Sequence, residues 1–104
     1  MVMVLLWGCL PEQRTVACDQ PEGDLCTEWT MHLRERQEAV VCGPYTAQID
    51  ACPEGALGTC TVQSRDTDDY WVHHYYSDNG LYDAASAEED CEREPASTWT
   101  AAGG

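Results

Sequence analysis

The distribution of cysteine constrains this chain more than any other feature of its sequence. Seven cysteines occur in 104 residues, and no two of them form a Cys-x-x-Cys pair. Closely spaced cysteines are typical of zinc sites, whereas an even set of separated cysteines in a short chain is typical of a disulfide framework. We therefore predict six paired cysteines and one spare thiol, Cys9. Disulfides in this number indicate an exported protein in an oxidising compartment.

The charge of the chain excludes several classes of partner. Nineteen carboxylates face five cations, all of them arginine, and the formal net charge is −14. A protein that binds nucleic acid needs a basic patch to contact phosphates, and five scattered arginines cannot form one. An anionic membrane surface repels such a chain for the same reason. We expect no nucleic-acid partner, and contact with a membrane only through a lipid on Cys9.

The first nine residues are similar to the end of a lipoprotein export signal. Leu6, Gly8 and Cys9 match its aliphatic residue, small residue and lipid-accepting cysteine, although Trp7 stands where a small residue is usual. The apolar run is too short to cross a bilayer, which requires about 20 residues. We expect residues 1–9 to be the remnant of a longer signal that ends at a lipidated Cys9. The alternative is an apolar strand or tail in which Cys9 is a free or intermolecular thiol.

Residues 10–104 predict a single disulfide-rich domain of α+β class. Its sheet is expected to be mainly antiparallel, with three to four strands and two helices. The polar, turn-rich segment 11–23 is interpreted as an extended leader. Periodicity and turn residues place strands at 24–29, 59–64, 70–77 and 97–100, and helices at 31–42 and 83–94.

The chain also shows a two-half internal repeat. Half one spans about 18–52 and half two about 58–104, and in each a strand cysteine precedes a helix cysteine and a short Thr-containing strand. Repeats of this kind predict equivalent structural units. Equivalence would pair the strand cysteine of each half with the helix cysteine of the same half.

This rule leads to a preferred disulfide connectivity. It joins Cys26 with Cys42, Cys60 with Cys91, and Cys18 with Cys52. A second connectivity stays open because Leu25 and Trp29 compete with Cys26 for the side of the strand that faces the helix. In that connectivity Cys18 pairs with Cys26 and Cys42 pairs with Cys52. The Cys60–Cys91 link is expected in both.

Short motifs over residues 18–104 resemble those of small, cysteine-rich, uncharacterised bacterial proteins of the predicted-lipoprotein type. They are Cys26-Thr27-Glu28, Ala51-Cys52-Pro53, Gly58-Thr59-Cys60, Tyr75-Tyr76-Ser77, Ala84-Ala85 before Cys91, and Ser97-Thr98-Trp99. The Gly-Gly that usually follows the helix cysteine in that group is absent here. The resemblance implies an extracytoplasmic, envelope-associated protein and implies no activity.

The strand at 70–77 carries the best candidate for ligand contact. Trp71, His73 and Tyr75 alternate along it and share one face. Such an aromatic face can stack against sugar rings while carboxylates nearby accept hydrogen bonds from hydroxyl groups. We therefore regard these three residues as a potential ligand-stacking surface.

The sequence predicts no catalytic, cofactor or metal site. His73 and His74 are adjacent on a strand, so their side chains point to opposite faces and cannot easily hold one ion together. The acidic loop 65–69 lacks the glycine and the distal glutamate of a calcium loop. A thiol nucleophile would need an unpaired cysteine near a histidine, and only Cys9 is spare.

These observations together predict a non-enzymatic, exported protein of the bacterial cell envelope with a structural or binding role. Its partner would be a glycan or another envelope protein. The alternative is a secreted carbohydrate- or peptide-binding module that uses the aromatic strand 70–76.

Overall fold

A computed structural model describes residues 12–103 of the chain. Its strands are β1 (Glu12–Gln20), β2 (Leu25–Leu33), β3 (Ala47–Ile49), β4 (Gly58–Gln63), β5 (Tyr70–Tyr75) and β6 (Ser97–Ala101). Its α-helices are α1 (Glu38–Val41) and α2 (Ala84–Glu92), and short 3-10 turns occur at Pro21–Gly23 and Glu35–Gln37. Residues 1–9, which were predicted to be the remnant of an export signal ending at Cys9, lie outside the described residues.

All six strands form one antiparallel sheet in the order β3-β1-β2-β5-β4-β6. The predicted α+β class is confirmed, but the sheet has six strands among the described residues rather than three or four. The two extra strands, β1 and β3, both belong to the first half of the chain. No helix of the described part is long and apolar enough to cross a membrane.

The segment interpreted as an extended leader is in fact a strand inside the sheet. β1 pairs with β2 over all nine of its residues. The ends of β1 are polar, but its centre, Val16-Ala17-Cys18, is buried, with each residue at most 4% exposed. The Pro21–Gly23 turn closes the hairpin, and Asp24 completes it with a φ of 53°, which Asp tolerates better than most residues.

The predicted helix at 31–42 is largely wrong. β2 continues to Leu33, and only four residues of α-helix follow after the 3-10 turn. Helix propensity was outweighed here because residues 31–33 of β2 pair with β1 in an antiparallel ladder. Leu33 is buried in the sheet core rather than on a helix face.

Elements of the second half lie close to their predicted positions. β4, β5, α2 and β6 each match a predicted element to within a few residues. The side chain of Asp83 accepts a hydrogen bond from the Ser86 backbone N–H at 2.8 Å, and the Ser86 hydroxyl oxygen accepts one from the Asp83 N–H at 3.0 Å. This reciprocal cap starts α2 where the sequence predicted it.

The strand order relates the two halves by a pseudo-twofold axis. Each half consists of a hairpin, a helix and a strand that returns to the outer side of the first strand. In half one Cys18 of β1 lies between Thr27 and Gln48, and in half two Cys60 of β4 lies between His73 and Trp99. Thr27 and His73 are themselves paired across the β2–β5 seam. The predicted first half began too late, because it left out most of β1.

The three disulfides join Cys18 to Cys42, Cys26 to Cys52 and Cys60 to Cys91. The Cys60–Cys91 prediction is confirmed. The predictions Cys26–Cys42 and Cys18–Cys52 are wrong, and so is the alternative with Cys18–Cys26. Cα separations of 5.3 to 5.7 Å fall within the range that disulfides require.

Strand facing explains the corrected connectivity. Residues paired directly across strands share a face, so Cys18 and Cys60 lie on one face of the sheet together with Thr27 and His73. Both cysteines link to the helix side of their own half, so we call this the helical face. Cys26 is one residue away from Thr27 and points to the opposite face, where it links to Cys52. The equivalent of Cys60 is therefore Cys18, not Cys26.

Candidate functional site

The candidate site lies on the helical face, along the seam between β2 and β5. Helix α2 packs against β4 and β6, and α1 packs against β1, so the part of the two central strands around Trp29 and Trp71 is only partly covered. Trp29 and Trp71 are register partners across this seam and both are half-buried. Their ring centroids are 5.3 Å apart and their planes are inclined by 34°. We call these two residues the tryptophan pair.

A cavity of about 290 Å³ opens beside Trp71. It is lined by Val62, Gln63, Ser64, Arg65, Asp66, Trp71, Glu94 and Pro95. Trp71, Val62 and Pro95 supply an apolar surface, while the other residues supply amide, hydroxyl, guanidinium and carboxylate groups. Pockets for small ligands are mostly apolar with a few polar groups that fix orientation. The composition of this cavity fits that description, and its size is suited to a small ligand.

A second cavity, of about 120 Å³, lies beside Trp29 in the first half. Its lining is Cys18, Gln20, Leu25, Thr27, Trp29, Val41, Cys42 and Thr46. Gln20 and Leu25 occupy the positions that correspond, under the pseudo-twofold axis, to Val62 and Trp71. The two cavities thus flank the tryptophan pair in related places, but the one beside Trp29 has no charged lining residue.

His73 lies beside the pseudo-twofold axis, which passes between it and Thr27, and its ring is hydrogen-bonded at both nitrogens. Its Nδ1 is 2.8 Å from Thr27 Oγ1, and its Nε2 is 3.0 Å from Glu94 Oε1. A hydroxyl, an imidazole and a carboxylate in this order are also the groups of a nucleophilic triad. Thr27, however, lies in the middle of a strand that is paired on both sides, so its neighbouring backbone N–H groups are not free to stabilise an oxyanion. The arrangement satisfies a buried imidazole and links the two halves.

Tyr75 belongs to the core rather than to a binding surface. It is 1% exposed, and its ring lies 4.9 Å from that of Tyr82 and 5.8 Å from that of Trp99. Its hydroxyl donates a hydrogen bond to Asp90 Oδ2 at 2.6 Å. Burial, together with this carboxylate, raises the pKa of Tyr75 well above its ordinary value. The proposed stacking role is therefore wrong for Tyr75, because α2 and its flanking residues enclose the ring.

Trp71 is the member of the predicted stacking surface that lines an open cavity. The side chain of His73 is only 13% exposed and is engaged by Thr27 and Glu94. Trp29, by contrast, was not predicted as a site residue. Its alternation with Leu25 and Thr27 placed it on a strand face, but nothing local indicated that β5 would bring Trp71 beside it.

His74 points to the opposite face, as strand alternation predicts. Its Nε2 contacts Glu28 Oε1, next to the Cys26–Cys52 disulfide. Donor atoms of Glu28, Cys52 and His74 lie within 4.8 Å of one another. The Cys52 sulfur is bonded to Cys26, so it is not a thiolate and cannot serve as an ordinary metal ligand. This group therefore stabilises the fold rather than an ion.

Asp24 is a buried polar residue that no sequence pattern singled out. It is 1% exposed, and its carboxylate accepts hydrogen bonds from the backbone N–H groups of Asn79 and Leu81 and from the Asn79 side chain. These bonds, of 3.0 to 3.1 Å, hold the turn after β5 against the β1–β2 hairpin. Its role depends on residues more than fifty positions away, which no local pattern reveals.

Comparison of the chain with models of protein families, with curated proteins and with solved structures produces no match.

Proposed function

We propose that this protein is an exported, envelope-anchored binding module without catalytic activity, and that the cavity beside Trp71 is its carbohydrate subsite. The observation that carries the proposal is the combination, in one open cavity, of an indole ring with a surrounding set of hydrogen-bonding side chains. One wall of the cavity is stabilised by the Cys60–Cys91 disulfide, which joins β4, the strand that carries Val62, to α2, the helix that precedes Glu94 and Pro95.

Three disulfides indicate an oxidising, extracytoplasmic setting. The Leu6-x-Gly8-Cys9 sequence supports lipid attachment as the means of anchoring. Cys9 precedes β1 by only three residues, which span at most about 10 Å when extended. A lipid on Cys9 would therefore hold the start of β1 close to the membrane.

The chemistry of the cavity favours a neutral, hydroxyl-rich ligand. An indole offers a flat apolar surface to the C–H face of a sugar ring. The side chains of Gln63, Asp66 and Glu94 can accept hydrogen bonds from hydroxyl groups, and Arg65 can donate them. The net charge of −14 disfavours anionic ligands. A pyranose combines the apolar face and the hydroxyl rim that this lining would recognise.

The Trp71→Ala variant is expected to lose glycan binding by about fivefold or more, because deleting the ring removes a stacking contact, and a nucleobase stacked on an aromatic side chain contributes about 1–3 kcal/mol. A glycan array would identify the ligand, and titration monitored by tryptophan fluorescence would measure the affinity. Tyr45→Ala is the matched control, because Tyr45 is an aromatic residue outside the cavity and is 88% exposed. Equal losses in the two variants, retained binding by Trp71→Ala, or an array with no specific signal would contradict the carbohydrate assignment.

Lipidation is tested separately on protein purified from the native host. We expect the mature chain to begin at Cys9 and to carry the added mass of a lipid, because Cys9 is the one cysteine outside the disulfide set and follows the signal-like sequence. Intact-mass spectrometry checks this. An unmodified chain that retains residues 1–8 would rule out the anchor without affecting the carbohydrate subsite.

A further inference from the structure

Three potential metal ligands meet at the end of β2, away from the tryptophan pair. His32 lies near the end of this strand, and Asp68 and Asp69 lie in the loop between β4 and β5. The Nδ1 atom of His32 is 2.8 Å from Asp69 Oδ1 and 3.3 Å from Asp68 Oδ1. One donor atom from each residue lies within 4.8 Å of the others. One imidazole nitrogen and two carboxylate oxygens thus converge on one point.

Backbone contacts hold both carboxylate residues in this position. The Asp69 carbonyl accepts hydrogen bonds from the Ser64 N–H and from Gln63 Nε2, both at 3.0 Å. The Asp69 N–H donates to Thr67 Oγ1 at 3.1 Å. The Asp68 carbonyl accepts a bond of 3.3 Å from the Gln13 side chain of β1. The loop is therefore fixed against β1 and β4 before any ion binds, which lowers the entropic cost of binding.

His32 differs from the other two histidines in its surroundings. His73 and His74 each contact one carboxylate, whereas His32 faces two through the same nitrogen. A single Nδ1–H can be shared between two carboxylates but cannot give each a full hydrogen bond. A divalent cation could bind both oxygens and the nitrogen at once, provided that the ring carries its proton on Nε2.

We propose that His32, Asp68 and Asp69 form a binding site for one zinc ion. Zinc accepts imidazole nitrogen and carboxylate oxygen together and takes four ligands, so one water would complete the set. Calcium and magnesium prefer oxygen ligands alone, and the imidazole therefore disfavours them. The net charge of −14 raises the local concentration of any divalent cation around the protein.

The site would provide a cross-link that the disulfides do not. Their three bonds reach residues 18, 26, 42, 52, 60 and 91, and none reaches the 64–69 loop. Zinc held by one ligand from β2 and two from this loop would join the hairpin of the second half to the long central strand of the first. Bound metal would then stabilise the folded state by a free energy that rises with the logarithm of the metal concentration above its dissociation constant.

Isothermal titration calorimetry tests the site on the oxidised full-length chain without a histidine tag, in a Cys9→Ser background that removes the spare thiol. We expect one zinc ion per chain and a higher melting temperature in its presence. Both His32→Ala and Asp68→Asn should weaken zinc binding by about tenfold or more. Even the loss of a residue that only hydrogen-bonds to a metal ligand typically lowers metal affinity by about 10–100-fold. Asp66→Asn is the control, because Asp66 lies in the same loop but outside the cluster.

Several results would overturn the proposal. They are the absence of zinc binding in the parent chain, unchanged affinity in His32→Ala and Asp68→Asn, an equal loss in Asp66→Asn, or calcium binding at least as tight as zinc binding. Circular dichroism of each variant shows whether it is folded. The His32 and Asp68 side chains are 43% and 74% exposed, so their replacement is not expected to disturb the core.

Discussion

Reduction of the three disulfides is expected to unfold the protein. The linked cysteines are separated by 24, 26 and 31 residues. In the chain-entropy model each link of this length adds about 3–4 kcal/mol to the free energy of unfolding. Three such links together amount to about 10 kcal/mol, which equals the whole stability of many small domains. Circular dichroism and thermal melting with and without excess reductant measure the effect.

The pseudo-twofold axis offers an internal comparison for this prediction. Cys18–Cys42 and Cys60–Cys91 are equivalent links in the two halves. Cys60 and Cys91 are 0% and 1% exposed, whereas Cys42 is only half-buried. Replacing both cysteines of a link by alanine should therefore lower the free energy of unfolding by about 1–2 kcal/mol more for Cys60–Cys91 than for Cys18–Cys42. The reason is that removal of the buried sulfur atoms in the second half leaves a cavity. Urea unfolding of the two double variants measures the difference.

Two outcomes would contradict these expectations. A reduced protein that still melts cooperatively near the temperature of the oxidised protein would show that the apolar core suffices. An equal or larger loss in the Cys18→Ala/Cys42→Ala variant would show that burial of the second-half link adds nothing. Peptide mapping without reduction checks the connectivity on which both depend.

The Asp24→Ala variant is expected to lose roughly 3 kcal/mol of the free energy of unfolding, because it removes a buried, charged acceptor of several hydrogen bonds. The backbone N–H groups of Asn79 and Leu81 and the Asn79 side chain all donate to this carboxylate. Alanine also tolerates the positive φ of this position poorly. Chemical denaturation measured by circular dichroism gives the change.

Asp78→Ala and Asp24→Asn serve as controls for this prediction. Asp78 is an exposed carboxylate on the same turn, so its removal should change stability by less than about 0.5 kcal/mol. Asparagine keeps one acceptor oxygen and tolerates the positive φ, so Asp24→Asn should lie between the parent protein and Asp24→Ala. If the Asp24→Ala variant were as stable as the Asp78→Ala variant, the prediction would be wrong, because the N–H groups of the turn would then have found other acceptors.

Local signals account for the parts of the fold that could be predicted. β5 is a run of aromatic and β-branched residues, and α2 is bounded by the Asp83 cap and by Pro95, so both were recognised. The first half lacked such signals. Polar residues occupy the start of β1, and the residues after Thr30 have high helix propensity although β2 continues through them. Pairing of residues 31–33 with β1 outweighed that propensity, and such pairing depends on residues that are not neighbours in sequence.

The candidate site, too, could be predicted only as far as local signals allowed. Alternation along β5 correctly placed Trp71, His73 and Tyr75 on one face, but it could not say which part of that face a helix would cover. Tyr75 lies under α2 among Tyr82 and Trp99, while Trp71 lies beside an open cavity. Trp29 and the His32 cluster also depend on contacts between the two halves, which are invisible in either half alone.

The sequence by itself determined that six cysteines would be paired, that the domain would be α+β, and that Cys60 would pair with Cys91. These conclusions rest on composition, local periodicity and the internal repeat. Only the tertiary structure decided that Cys18, not Cys26, corresponds to Cys60, and which aromatic rings stay accessible. The physical reason is that one residue of shift in a strand reverses the face of every side chain, and the shift is set by partners across the sheet.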